Sequence, residues 1–498
     1  MIELMVKTRD EKTRRKILTG NLWKVVLSIT IPLFLYQLVN SFYNLLDQVM
    51  VASIGDTSVS AVATISQIKQ LISAMGMGLA GGGAIIVSRL YGAGKIKEAR
   101  KNANVTFTMG LIVCALVLLI CLPCSTLILQ FSQVPDDLIA ISQGYFMLQL
   151  VEQALMVINN IFIGIEKSKG NTRVIFICNV VSMIIKISFN SLFIYGLKLT
   201  DLIWVEIASL LAQGTMFSIG LYYLFRKKNI FKIAFNELSL KWIYVKKILV
   251  ISFPLFLGKF VISLGKVGVN AMCKMYGSLT VGALGISNNI GGIITNAGAS
   301  FEDSESSIVS QNLGNKNMRR TIKTFLVSLV YITIWTVLGY LCVRVFFEDN
   351  IINLFSTENT SSEFTIMIKN IFYYDSLSIP SLAINSVILG ILYGYGQTFL
   401  ATINNLLRIG TRIFTLWFLQ TYHPEIGSEA AGISMGISNI AIAIFAIIIF
   451  IFFIIKIKVK GFKGMHLTDP EPQMIEENGI LVRRDSVNET NNKPQQLK

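Results

Sequence analysis

"ITIPLFLYQLVN" (29–40) and "ISFPLFLGKFVI" (251–262) are two copies of one motif, and their spacing decides how the chain is read. An offset of 222 positions carries Pro32 onto Pro254 and "PLFL" (32–35) onto "PLFL" (254–257). Without a gap it also carries Gly55 onto Gly277, Ala61 onto Ala283, Gly76 onto Gly298, Ser88 onto Ser310 and Gly92 onto Gly314. Further on the offset becomes 226, and Gly164, Gly170 and Thr172 fall on Gly390, Gly396 and Thr398. Proline and glycine each impose a particular backbone, so their repetition marks a duplicated unit.

The two copies lie in apolar sequence. The 498 residues are 53% hydrophobic and 15% charged, with a mean hydropathy of +0.61. An average water-soluble domain carries about 25% charged residues. Stretches such as "GLIVCALVLLICLPCSTLIL" (110–129) and "AIAIFAIIIFIFFIIKI" (441–457) match the roughly 20 apolar residues that cross a bilayer. Only helices or closed barrels satisfy their backbone polar groups in lipid. Long apolar runs without period-two alternation select helices. Twelve are predicted, over 22–51, 59–90, 103–130, 139–165, 172–196, 202–226, 245–273, 280–310, 322–347, 367–394, 397–420 and 428–458. The fold class expected is therefore an all-α membrane protein, with twelve transmembrane helices in two homologous six-helix bundles.

Loop charge sets the orientation. Basic loops carry Arg89, Lys95, Lys97, Arg100 and Lys101, then Lys167, Lys169 and Arg173, then Arg226 to Lys228, then Lys316, Arg319, Arg320 and Lys323. The alternate loops, "GDTS" (55–58), "VPDD" (134–137), 347–363 and "HPEIGSE" (423–429), are poor in Lys and Arg. The positive-inside rule puts both termini in the cytoplasm of a multi-pass cell-membrane protein. The segments expected are a cytoplasmic tail at 1–20, a bundle at 21–228, a cytoplasmic linker at 229–243, a second bundle at 244–460 and a disordered cytoplasmic tail at 461–498. "KTRDEKTRRK" (7–16) is too polar for a signal peptide. Because six is even, both bundles enter the membrane in the same direction, related by an axis along the membrane normal.

Ionisable and amide side chains within spans point to a site, since each costs free energy unless paired or hydrated. Gln37, Asn40, Asn44 and Asp47 are spaced 3, 4 and 3 apart, one face of the first helix. Pro32 before them is expected to kink that helix, as Pro254 does in the second half. Asp47 either exchanges a cation inside an aqueous cavity or solvates a helix end at the outer mouth. Asn179, Lys186 and Asn190 share a face of the fifth helix, where Lys186 would neutralise Asp47 as static glue or as an exchangeable lock. Lys259, Ser263, Lys266 and Asn270 stripe the seventh helix opposite Glu302, Asp303 and Glu305 of the eighth. A functional role for that pairing competes with a structural ion pair or exposure at the cytoplasmic end, the structural reading suiting Glu305. Glu152 and Asp375 are weaker candidates that could sit at the membrane surface, and His423 lies in an outside loop.

The sequence holds no phosphate-binding GxxxxGK[ST] loop, no HExxH and no nucleophile elbow, so an enzyme is not expected. With only two histidines, a histidine-rich metal centre is not expected, and neither is a cofactor. The net charge of +15 is dispersed between spans, which argues against a nucleic-acid partner. The partners expected are the lipid bilayer and a small-molecule substrate, with the chain a monomer.

The stretches "LTGNLWKVVLSITIPLFLYQLVNSFYNLLDQVMVASIGDTSVSAVA" (18–63), "IIVSRLYGAGKIKEAR" (85–100), "ISFPLFLG" (251–258) and "SSIVSQNLGNKNMRRT" (306–321) resemble the multidrug and toxic compound extrusion (MATE) family, in its DinF-like prokaryotic branch. The resemblance spans residues 18–460. It implies two bundles around a V-shaped cavity and alternating access. It also implies export of drug-like or metabolite compounds, often organic cations, in exchange for H+ or Na+. In that branch a cation site lies in the N-terminal bundle, and its first-helix aspartate matches Asp47 in "NLLDQ". Two fifth-helix positions match Lys186 and Asn190, where the family has asparagine and aspartate. A sixth-helix threonine matches Ser209. A lysine ammonium would repel sodium, so the Asp47 and Lys186 pair suits H+ better than Na+. The family's second site, built from acids of the seventh and tenth helices, has no clear match. A lipid-linked precursor flippase and a non-transporting receptor or sensor are the alternatives weighed against this reading.

Overall fold

The computed structural model describes residues 2–52, 56–131, 136–199, 201–234, 238–346, 362–477 and 480–483. The acid-rich loops near 55, 134 and 347–361, used above for orientation, lie in whole or in part outside the described residues. The first half comprises α1 (Ile2–Thr19), α2 (Leu22–Ala52), α3 (Asp56–Gly92), α4 (Ile96–Leu116), α5 (Ser125–Phe131), α6 (Asp136–Lys169), α7 (Thr172–Ser191) and α8 (Leu202–Phe225). The second comprises α9 (Trp242–Cys273), α10 (Ser278–Gly314), α11 (Met318–Tyr340), α12 (Ser362–Ser376), α13 (Ile379–Gly394), α14 (Thr398–Tyr422) and α15 (Glu429–Lys460). Among the described residues, nine helices are long and apolar enough to cross a membrane, and α12 with α13, bent by 48° at a short break, make a tenth. The remaining two of the twelve, α10 and α14, carry Glu302, Asp303 and Glu305, and Arg408 and Arg412. Large apolar side chains such as Leu119, Phe414 and Phe452 stay exposed on the outside, as a lipid-facing surface requires.

The sequence repeat reappears as reciprocal contacts. Gly92 of α3 lies so close to α10 that an added Cβ would sit 2.0 Å from the Gln311 carbonyl oxygen, and one on Gly314 would sit 1.9 Å from that of Arg89. Arg89 and Gln311 are themselves equivalent by the 222 offset. Arg89 Nη2 donates to the Gly394 carbonyl at 3.0 Å, and Gln311 Nε2 donates to the Ser168 carbonyl at 2.8 Å. Ser168 and Gly394 are equivalent by the 226 offset. A near-twofold axis thus passes between the basic ends of α3 and α10. Gly170 (φ 77) and Gly396 (φ 72) occupy the same left-handed turn in each half, which an L side chain adopts only at a cost.

The halves meet at the basic end and separate away from it. The largest core cluster draws on both halves, from Val25, Tyr91 and Phe162 to Phe301, Leu313 and Ile391. A second cluster, with Val269, Phe372 and Met435, belongs to the second half alone. A third, with Ile65, Phe146 and Val205, belongs to the first alone. Inter-half hydrogen bonds run up α2 and α10 from Thr30–Ser304 (2.7 Å) to Asn296–Ser41 (2.7 Å). The result is a V with its apex at the basic end.

Two terminal segments differ from the sequence expectation. The N-terminal tail forms a helix that clasps the apex: Arg14 Nη2 donates to the Gly92 carbonyl at 3.2 Å, and Tyr91 Oη to the Asp10 carbonyl at 2.9 Å. Its middle, "KTRDEKTRRK" (7–16), is wholly polar, while Ile17 and Leu18 near its end are buried. The tail after Gly461, expected to be disordered, carries a two-stranded hairpin, Met474–Glu477 with Ile480–Arg483. It docks on α11 through Arg319, which donates to the Leu467 and Thr468 carbonyls, and through Lys323 with Glu471 at 2.9 Å. Polar composition hid both, because their partners are backbone carbonyls and charges of the folded bundle.

Candidate functional site

A cavity of about 210 Å³ sits in the crook of the V, above the apex contacts. Its floor brings together Tyr36 and Gln37 of α2, Lys167 of α6, Lys259 of α9, and Glu302 and Asp303 of α10. Lys167 Nζ reaches Asp303 across the halves at 2.9 Å, and Lys259 Nζ stands 3.9 Å from Glu302. The pairing expected between the seventh and eighth helices is thus present for Lys259. Lys266, about two turns further along, has no ion pair among the described residues.

In the N-terminal half, Asn179 Nδ2 donates to Asn40 Oδ1 at 2.8 Å, joining α7 to α2. Lys186 and Asn190 are buried on α7, as is Ser209 on α8, whose hydroxyl donates to the Val205 carbonyl of its own helix. The side chains of Asn44 and Asp47 lie outside the described residues, although the α2 backbone passes through both. Glu152 is buried rather than at the membrane surface, 2.6 Å from Lys69 Nζ. Glu206 of α8, equally buried, was not singled out from the sequence. Pro32 and Pro254 sit inside helices that remain continuous.

The C-terminal half holds the larger surprise. Asp375 ends α12 at the helix break and is buried, not exposed at the surface. Around it Asn439 Nδ2 donates to Asp375 Oδ1 (3.3 Å) and to Ser378 Oγ (2.9 Å). Arg408 and Arg412 of α14 each donate to Asn439 Oδ1 at 2.9 Å, and Arg412 Nε donates to Ser438 Oγ at 3.0 Å. The sequence reading passed over both arginines, yet the 226 offset carries Lys186 onto Arg412. Glu305, expected in a structural ion pair or exposed at the cytoplasmic end, is instead fully buried beside Gly390, and among the described residues neither carboxyl oxygen has a hydrogen-bond partner. His423 is exposed and faces Glu425.

Two six-helix units of one design, joined at the apex and open above a charged floor, have a counterpart among known proteins. The sequence profile of the MatE family matches residues 32–192 and 254–418, one match per half. The chain belongs to the MatE family. MatE proteins are transporters rather than enzymes, and this chain is a multi-pass membrane transporter. It is 20% identical over 351 residues to the probable multidrug resistance protein YoeA of Bacillus subtilis, covering 68% of this chain and 74% of that protein. It is 21% identical over 356 residues to the FAD transporter of Shewanella oneidensis, covering 70% and 77%. The solved outward-facing conformation of a multidrug resistance MATE family transporter superposes with a TM-score of 0.83 at 18% identity, covering 89% of this chain and 98% of that one. That likeness concerns the fold, including the V of two bundles.

Proposed function

We propose that the chain is a secondary efflux transporter of the cell membrane that exports small organic molecules by alternating access, driven by inward proton flow. The observation that carries this is the apex: reciprocal contacts around a near-twofold axis hold one end of the V shut while the other stands open. Rocking the halves about that axis would exchange the open end for the closed one. The basic loops lie at the apex side, which supports cytoplasmic termini and an outward-open state. The relatives' names, for multidrug resistance and for FAD transport, support an organic cargo. The chain works as a monomer, since each chain contains both halves of the V.

Coupling is assigned to the N-terminal half, with Asp47 as the exchanging carboxylate and Lys186, Asn190 and Ser209 around it. The cargo path takes in Gln37, Asn40, Asn44 and Asn179 on one side and Lys259, Lys266 and Asn270 on the other. Lys186 is buried on the helix beside α2, where an ammonium favours proton exchange over a sodium ion that needs several oxygen ligands. Proteoliposomes with independently imposed proton and sodium gradients test this. Export driven by a pH gradient, insensitive to sodium and lost in Asp47→Asn, is the expected result. Sodium-driven export, or an active Asp47→Asn variant, overturns the coupling assignment.

A further inference from the structure

The two walls of the cavity occupy equivalent positions in the repeat, yet their charges differ. By the 222 offset Gln37 and Asn44 correspond to Lys259 and Lys266. By the 226 offset Ser182 and Lys186 correspond to Arg408 and Arg412. Lys259 faces Glu302, and Asp375 offsets one more cation. Above the floor, among the described residues of the second half, Lys266, Arg408 and Arg412 stand with the carboxylate of Asp375.

Lys266 faces the open part of the V, and Arg408 and Arg412 lie on the helix packed against α9 there, where a Cβ on Gly265 would meet Ile409. Ser252, Leu255 and Phe256 of α9 pack on α3 near the apex. Stepping from Ser252 by 7, 4, 3 and 4 residues reaches Lys259, Ser263, Lys266 and Asn270, all on the same helix face. Higher on α9, where α3 no longer covers it, that face looks across the gap, and Lys266 is exposed there. The charges of Arg408, Arg412 and Lys259 all act on Lys266. Arg408 Nε is buried without an acceptor. Gathering three cations around one carboxylate is unfavourable unless an anion joins them. The forked guanidinium donors suit a phosphate or carboxylate.

We propose that Lys266, Arg408 and Arg412 bind the phosphate or carboxylate of an organic anion, and that this anion is the exported cargo. The proposal rests on the transporter reading above and departs from the organic cation that the family resemblance implies. An organic cation entering the V would meet Lys266 and be repelled, whereas an anion is drawn to this wall.

Flavin mononucleotide and riboflavin share one ring system and differ by a phosphate, so their comparison isolates the charge. Binding of each to the purified full chain is read by fluorescence quenching, and export of each, alongside ethidium, in proteoliposomes under a pH gradient. Flavin mononucleotide should bind at least about tenfold more tightly than riboflavin, and Lys266→Gln should remove about tenfold of that preference. Lys266 is exposed, so that variant does not put folding at risk; Arg408→Gln should act in the same direction. Equal binding of the two flavins, or export of ethidium with no binding of flavin mononucleotide, overturns the anion site. Tight binding of flavin mononucleotide with no export of any of the three would sink the transporter reading and leave the site standing.

Discussion

The two halves of the molecule share a scaffold and differ in their linings. At the apex, equivalent residues do equivalent work: Gly92 with Gly314, Arg89 with Gln311, Ser168 with Gly394. Along the cavity the symmetry fails, with Gln37 opposed to Lys259 and Ala80 replaced by Glu302. Backbone approach cannot tolerate divergence, because an extra methyl group at a helix crossing displaces the whole helix. A cavity wall tolerates it readily, since water or cargo can satisfy a changed side chain. Duplication therefore preserves the hinge and frees the lining to diverge.

The largest effect should come from the specialised half. Arg412→Ala leaves Asp375 buried with a weakened cation shell and is expected to cost about 3–5 kcal/mol, seen as a strongly lowered melting temperature in detergent. A melting temperature equal to wild type would mean that Arg412 carries no structural load. Next come the symmetric positions. Gly92→Ala and Gly314→Ala should each destabilise by about 1–3 kcal/mol and depress export alike. A clear difference between the two would break the twofold description of the apex.

The repeat offset, legible in the sequence, located these paired glycines before any coordinates, because proline and glycine are constrained by backbone geometry alone. Most of the helices were legible for a different reason, their apolar length being set by the bilayer. The site was only partly legible. Gln37, Lys259 and Glu302 meet on the cavity floor as their helix faces suggested. Arg408 and Arg412 escaped notice, though carrying Lys186 across the repeat would have found the second. Burial of Glu152, Asp375 and Glu305 depends on which helices pack against them, and local periodicity does not contain that. The helix Ile2–Thr19 escaped for a related reason: its partners are the Gly92 carbonyl and Tyr91 hydroxyl of α3 and the Arg320 side chain of α11.

A smaller effect is expected at Glu305. A carboxyl group buried without a hydrogen-bond partner stabilises nothing, so Glu305→Gln should leave the melting temperature unchanged or raise it. A loss of several degrees would reveal a partner for the carboxyl group. The smallest effect belongs to the tail. A hydrogen bond from Lys323 holds the Glu471 carboxyl below its usual range. Its contribution is therefore complete above the ordinary carboxylate pKa and is lost as pH falls through the lowered value. Both side chains are well exposed, so Glu471→Gln should cost less than about 1 kcal/mol. Hydrogen exchange across Met474–Glu477 would register it as slightly faster exchange, and no change would show that the hairpin docks through Arg319 alone.

The central claim is that the apex opens while the scaffold on either side stays rigid. Spin labels at Lys95→Cys and Lys316→Cys, both exposed and on opposite halves beside the paired glycines, report that distance by pulsed electron resonance in a cysteine-reduced background. Cycling the protein between outward and inward states with pH and cargo should lengthen the separation by on the order of 10 Å. One distance, unchanged under every condition in which export proceeds, would contradict the account.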